Sequence, residues 1–296
     1  MSDTFKSGFV AVIGRPNVGK STLVNSLIGH KIAIMSDKPQ TTRNKILCIL
    51  NLDDAQILFI DTPGIHKPRH KLGEYMVRTA ENTLREVDVV LFVVDVTEEL
   101  GAGERYILEH LAAVSTPVVL VINKIDKVAH SEVLPAIARY TKEREFAAVV
   151  PVSAEKKTNL ESLVAEIKQH LGPGPKYYPD DMITDQPERM LIAELIREKV
   201  LHFTREEIPH AIAVDIEEIT VRSNDDLYVR AVIYVERDSQ KGIVIGAGGQ
   251  VLKDVGRLAR LDIENLLGSK AYLDLWVKVK KDWRNRSGVL KTFGYE

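Results

Sequence analysis

Residues Val10 to Thr22 read VAVIGRPNVGKST. An apolar run ends in Gly14, and Gly19-Lys20-Ser21 follow at the spacing of the phosphate-loop pattern G-x-x-x-x-G-K-[ST]. The pattern carries a mechanism. Glycines let the backbone curl until its N–H groups point at phosphate oxygens, and the N-terminus of the following helix favours the same anion. Gly14, Arg15, Pro16, Asn17, Val18, Gly19, Lys20, Ser21 and Thr22 are therefore candidate nucleotide contacts. Lys20 is placed to reach the β- and γ-phosphates, and Ser21 to bind Mg²⁺ through its hydroxyl. The flanks supply the context that the motif needs, a buried strand over Phe9–Ile13 and a helix over Lys20–Leu27 that Gly29 stops.

Length and composition bound the rest. At 296 residues, with 45% hydrophobic and 28% charged residues, the chain suits two soluble globular domains. A net charge of −2 excludes a protein that is basic all over but leaves room for a local basic face. Cys48 is the single cysteine, so neither a disulfide framework nor a thiolate metal cluster forms within one chain, and a reducing compartment is expected. The N-terminus lacks the pattern of a secretory signal, and no apolar run has the length to cross a bilayer. The cytoplasm is the expected location.

Moving outward, Ile32 to Arg43 reads as an exposed polar loop able to bring the Thr42 hydroxyl to the metal, followed by a strand over Lys45–Leu50. A strand over Gln56–Ile60 then runs into Asp61-Thr62-Pro63-Gly64. Asp61, at a strand end beside the phosphate loop, is placed to hold Mg²⁺, and Gly64 has no Cβ to keep its N–H from a γ-phosphate. Beyond the strand Val87–Val94 and the helix Glu104–Ala113, the strand Val118–Ile122 delivers Asn123-Lys124-Ile125-Asp126. A carboxylate there can accept from the ring N–H and exocyclic amine of guanine, a donor pair that adenine lacks. The strand Val149–Val152 leads to Ser153-Ala154-Glu155, which can offer a backbone N–H to the guanine oxygen. Alternating strands and helices predict an α/β, doubly wound, mostly parallel sheet with its ligand at the carboxyl ends of the strands.

Gly14 to Ser21, Thr42, Asp61 to Gly64, Asn123 to Asp126 and Ser153-Ala154 together resemble the five ordered motifs of a Ras-like GTPase domain. The resemblance implies GTP/GDP and Mg²⁺ as cofactors, the metal held by Ser21, Thr42 and Asp61. It implies guanine selection by Asn123 and Asp126 with Lys124 beside them, catalysis carried by Lys20, Thr42 and Gly64, and flanking loops ordered by GTP. One residue departs from the pattern. Ile65 stands where Ras-like enzymes orient the attacking water with a glutamine, a substitution similar to that of bacterial translation-type GTPases in which a partner or a monovalent cation supplies the help. In potassium-stimulated relatives an asparagine at the position of Asn17 helps hold K⁺; the other reading is that Asn17 only shapes the turn.

In the second half, Gly172 to Pro187 holds four prolines and two glycines and divides the chain into domains at 1–172 and 188–296, with 173–187 as linker. An amphipathic helix over Glu188–Phe203 precedes strands over Ala211–Arg222 and Leu227–Glu236, joined by the turn Ser223-Asn224-Asp225-Asp226. A short helix near Ser239–Ile245, Gly246-Ala247-Gly248-Gly249, a helix over Gln250–Leu266 and a strand over Ala271–Lys281 follow. A GxxG loop within this α-β-β-α-α-β order resembles the second type of K-homology domain, in which the loop clamps the backbone of about four single-stranded nucleotides. Gly246, Ala247, Gly248 and Gly249 are the candidate contacts, with Lys241 and Lys253 beside them, and Ala247 stands where many such loops carry a lysine. Residues 237–291 hold twelve Lys and Arg against six Asp and Glu, a basic half that fits an RNA path. The other reading of Lys278, Lys280 and Lys281 is that they solvate an edge strand.

A Ras-like domain followed by a K-homology domain is similar to a family of bacterial ribosome-assembly GTPases. That likeness implies a monomer that binds the 3′ end of small-subunit ribosomal RNA, and with it the small ribosomal subunit, when loaded with GTP, and leaves after hydrolysis. Two other classes stay open. One is an RNA-binding protein whose nucleotide domain is structural; the other is a GTPase switch peripheral at the inner membrane, for which no basic amphipathic anchor is visible.

Overall fold

The computed structural model describes every residue except 1–4, 37, 39, 40, 66, 67, 69, 206, 207, 223, 224 and 296. Gln40 of the first loop and Ser223-Asn224 of the expected turn lie outside the described residues. The chain divides into two compact units, the first of Met1–Ala33, Thr42–Pro68 and Gly73–Asp185, the second of Ile34–Thr41, Arg69–Leu72 and Gln186–Glu296.

The elements of the first part of the chain are β1 (Lys6–Ile13), α1 (Lys20–Ile28), β2 (Ile46–Asn51), β3 (Ala55–Asp61), α2 (Lys71–Thr83), β4 (Val89–Asp95), α3 (Ala102–Leu111), β5 (Val118–Asn123), α4 (His130–Thr141), β6 (Ala148–Pro151) and α5 (Leu160–His170). The strands form one sheet in the order β2-β3-β1-β4-β5-β6. Only β2 runs antiparallel, against β3; the other pairings are parallel. Every residue of β4, VVLFVVD, is buried, as a central strand covered on both faces requires. The strand order reverses about β1, so the carboxyl ends of β1, β3, β4 and β5 meet at a switch point.

The expected linker is packed chain as far as Asp185. The β2 edge donates from the Ile49 N–H to the Ile183 carbonyl at 2.9 Å, and the Thr184 hydroxyl donates to the Leu47 carbonyl at 2.6 Å. Gln56, fully buried, accepts from the N–H groups of Tyr177 and Tyr178 at 2.7 and 3.0 Å and donates to the Tyr178 carbonyl at 2.8 Å. A buried amide satisfied on both ends makes this segment a cover for an otherwise open sheet edge.

The second unit continues with α6 (Glu188–Phe203), α7 (Ile208–Ala211), β7 (Ala213–Val221), β8 (Leu227–Val235), α8 (Asp238–Ile245), α9 (Gln250–Leu267), β9 (Ala271–Val279) and α10 (Ser287–Thr292). β8 lies between β7, antiparallel, and β9, parallel. Its core is built from Ile192, Leu195, Ile196, Val229, Val255, Ala259 and Ile263, and it also takes in Ile34. The expectation of an exposed loop is corrected at Ile32, Ala33, Ile34, Thr42 and Arg43, which are buried, while Met35 is exposed. The physical reason for Ile32 and Ala33 is Asn25, whose side chain accepts from both of their N–H groups at 3.0 and 2.9 Å. For the following segment, Glu198 accepts from the Met35 N–H at 2.8 Å and the buried Arg197 donates to the Thr41 carbonyl.

Candidate nucleotide site and nucleic-acid groove

The loop Gly14–Gly19 connects β1 to α1 at the switch point. Gly19 has φ +98, and a Cβ there would stand 2.3 Å from Asn123 Nδ2, so conformation and space both demand glycine. Lys20 is buried, and its ammonium donates to the carbonyls of Gly14 and Arg15 at 3.1 and 2.9 Å. Burial pushes its pKa down to about 8, opposed by the charge on Asp61. A cation stripped of water in this way gains most from an incoming phosphate. Gly64 abuts the loop closely enough that a Cβ would come within 2.8 Å of the Pro16 nitrogen.

Ser21, Thr42 and Asp61 converge. The Ser21 hydroxyl donates to Asp61 Oδ2 at 2.7 Å, the Thr42 hydroxyl lies 3.2 Å from the same oxygen, and the two hydroxyls are 3.0 Å apart. Asp61 is fully buried and its Oδ1 has no partner among the described residues. Burial raises its pKa, while Lys20 and the two hydroxyls pull the other way. A buried carboxylate with one orphaned oxygen beside two hydroxyls is a hard-oxygen donor set that fits Mg²⁺. Thr62 does other work: its hydroxyl donates to the Val12 carbonyl at 2.8 Å, pinning β3 to β1.

The base site is partly engaged within the protein. Asn123 Nδ2 donates to the Val18 carbonyl at 2.9 Å, and its Oδ1 accepts from the Ala154 N–H at 3.0 Å. Asn123 thus ties the phosphate loop to the 153–155 turn and keeps a second Nδ2 hydrogen for a base, while the Ala154 N–H is already given to Asn123. Ser153 donates its N–H to the Thr158 carbonyl at 3.2 Å, and Lys156 donates to the Ser153 hydroxyl oxygen at 3.0 Å. Glu155 is left, among the described residues, as the N–H of this turn with no protein acceptor. Asp126 is exposed, and one oxygen is anchored by the Ser153 hydroxyl at 2.5 Å while the other is open to a ligand.

Lys124 and Arg15 also act within the protein. The Lys124 ammonium bridges the Asn17 carbonyl at 2.8 Å and Asp95 at 2.5 Å. Burial would raise Asp95, but donors from Lys124 and Thr97 outweigh it and hold the carboxylate below its ordinary range. The Arg15 guanidinium pairs with Glu98 and Glu104 at 2.6 Å each, tying the phosphate loop to the α3 region instead of facing phosphate. Asp95, Glu98 and Glu104 belong to no motif; an acidic residue ending a central strand was the available clue.

In the second unit a groove of about 390 Å³ is lined by Gly249, Leu252, Lys253, Gly256, Arg257, Arg260, Tyr272, Leu273 and Leu275. Gly249 and Lys253 thus sit on it as expected, Gly246, Ala247 and Gly248 form the loop at its end, and Lys241 is not among the lining residues. Arg257, Arg260 and Tyr272 join it through the pitch of α9 and the pairing of β9. The charge reading is also redirected. Lys278 pairs with Glu217 at 2.8 Å, and Lys280 lies 5.4 Å from the Tyr234 ring centroid and 5.0 Å from that of Phe293, so neither belongs to this groove.

Residues 9–124 match the family described as 50S ribosome-binding GTPase, and residues 207–284 match the KH domain. Era in complex with MgGDPNP and nucleotides 1506–1542 of 16S ribosomal RNA superposes with a TM-score of 0.95 at 45% identity, over 98% of this chain and 99% of that one. A single-residue variant of Aquifex aeolicus Era bound to GDP.AlF4⁻ gives the same TM-score of 0.95, identity of 45% and coverage of 98% and 99%.

Proposed function

The chain belongs to the Era family of GTPases, and from that premise we propose that it binds the 3′ end of 16S ribosomal RNA under control of GTP during small-subunit assembly. It is a GTPase, converting GTP to GDP and phosphate, with Mg²⁺ as cofactor. The observation that carries the reading is the joining of a phosphate loop, a Ser21–Thr42–Asp61 cluster and an open Asp126 carboxylate to a GxxG groove in one chain.

Loop N–H groups and Lys20 cradle the phosphates and oppose the charge that develops as water attacks in line on the γ-phosphate. Ser21, Thr42 and Asp61 would hold the metal, which neutralises phosphate charge when bound. Thr42 and the Gly64 N–H would lie on the γ-phosphate side. Ile65 takes no part: it is 1% exposed, packed with Ala11, Ile13 and Phe92. Its position is a core position as well as an apolar one, so no rotamer brings a polar group to the water.

Crosslinking of RNA in cells tests the whole reading. Lys20→Ala should cut crosslinks at the 16S 3′ end severalfold, with the protein leaving the small subunit for the free cytoplasmic pool. Crosslinks that persist unchanged would favour a constitutive RNA binder with a structural nucleotide domain, and recovery in the membrane fraction would favour a membrane switch. Among the described residues no helix is long and apolar enough to cross a membrane.

The group that replaces the missing glutamine is proposed to be a potassium ion held in part by Asn17, which sits exposed in the phosphate loop at φ +67. Turnover should rise severalfold when sodium is exchanged for potassium at constant ionic strength, and Asn17→Ala should abolish the difference. Equal rates in both salts would assign the missing help to a protein or RNA partner.

A further inference from the structure

One ring on the wall of the groove is set apart by its surroundings. Tyr272, on the edge strand β9, is 55% exposed. Its ring lies almost parallel to that of Tyr228, 13° between planes and 5.9 Å between centroids, because the register pairs these two residues across β8 and β9. The Arg222 guanidinium caps both rings at 4.9 and 4.8 Å and has no ion pair among the described residues. Tyr228 is itself held at its hydroxyl, which donates to Asp274 at 3.1 Å and accepts from Arg230 at 3.0 Å.

Tyr272 is thus a half-exposed ring that Tyr228 and Arg222 brace and that lines the groove. The rest of the lining divides into an aliphatic floor, Leu252, Leu273 and Leu275 around Gly256, and cationic walls, Lys253, Arg257 and Arg260. The cations suit phosphates and the floor suits any apolar surface; the braced ring suits a flat one. We propose that Tyr272, backed by Tyr228 and Arg222, is a stacking platform for one base of the single-stranded RNA in this groove, added to the backbone clamp of the glycine loop. The proposal rests on the RNA-binding reading above. Base stacking on an aromatic ring is worth about 1–3 kcal/mol per base and tolerates any sequence, because every base has a π-face. Bracing lowers the ordering cost of that contact, and the Arg222 charge improves the ring's surroundings for a neighbouring phosphate. The competing account is that the three side chains only stabilise the β8–β9 pair.

The test uses the full chain with Mg²⁺ and a non-hydrolysable GTP analogue, and as probe an RNA of 16S nucleotides 1506–1542 carrying single abasic sites along its length. Tyr272→Ala should weaken binding of the intact RNA about tenfold. Tyr272→Leu, which keeps apolar cover on the strand without a π-face, should give the same loss, and Tyr272→Phe should bind as wild type. At one abasic position the loss seen with wild type should vanish in Tyr272→Ala, since base and ring are two halves of one contact. Wild-type affinity in both Tyr272→Ala and Tyr272→Leu, or losses that add independently at every abasic position, would overturn the platform. Neither result would disturb the RNA-binding reading, which fails separately if the wild-type chain does not bind the probe.

Discussion

Asp126→Asn is expected to weaken GTP binding by about a hundredfold or more and to admit xanthine nucleotides. One carboxylate oxygen is anchored by the Ser153 hydroxyl at 2.5 Å, which aims the other away from the protein. Two charge-assisted bonds to the guanine N–H groups, about 1.5–3 kcal/mol each, depend on that carboxylate. An amide in its place turns a donor toward donors, which costs more than deleting the contact because the base's N–H groups are left buried and unpaired. Xanthine offers an oxygen where guanine has its amine and so relieves the mismatch. A competition titration of GTP against XTP measures the change. Retention of GTP preference by the variant would remove the guanine assignment from Asp126. Asn123→Ala is not an equivalent experiment, since it releases Val18 and Ala154 together and perturbs the loop along with any base contact.

The second large effect is expected at Gly248. Gly248→Asp should lower affinity for single-stranded RNA by about thirtyfold or more, because a carboxylate facing a phosphate costs several kcal/mol. GTP hydrolysis measured without RNA should stay near normal. The structure separates this position from Gly246, although the sequence motif treats them alike. A Cβ on Gly246, at φ +75, would lie 2.5 Å from Val251 Cγ2 and 2.9 Å from its nitrogen, so any substitution there breaks the loop. Gly248 has φ +59 and nothing within 4 Å of a Cβ. Asp and Asn tolerate that left-handed conformation better than other residues do. Gly248→Asn therefore carries the same backbone cost without the charge. If Asn and Asp weaken RNA binding equally, strain is the cause; if neither does, the glycine loop is not where RNA binds.

Much of the fold was legible because its signals are local. The phosphate loop, Asp61 at a strand end and the Asn123–Asp126 turn each announce themselves within a few residues. Runs such as Val89–Asp95 are too uniformly apolar to be anything but central strands. Five helices received no assignment, the short α7 and α10 and, in the first part of the chain, α2, α4 and α5. The last two bury only a narrow stripe, Val133, Ala136 and Tyr140 in α4 and Leu160, Leu163 and Ile167 in α5, against many polar neighbours. The second unit was read in the right order because its helices and strands have clean periods, while α10 is too short to show one.

What the sequence by itself determined is the set of chemical groups and the order of their elements: a phosphate loop, a candidate Mg²⁺ ligand set, a candidate guanine-selecting aspartate and a glycine loop opening α9. These follow from spacing along the chain, where backbone geometry acts. Which of those groups are free to meet a ligand was decided only by tertiary structure. The Ala154 N–H is used by Asn123, 31 residues away, and the Arg15 guanidinium by Glu104, 89 away. Ile34 left a polar loop for a core built around α6 and α9, and Tyr272 became a candidate base contact through pairing with Tyr228. Hydrogen-bond satisfaction and burial depend on neighbours distant in sequence, so no local pattern could assign them.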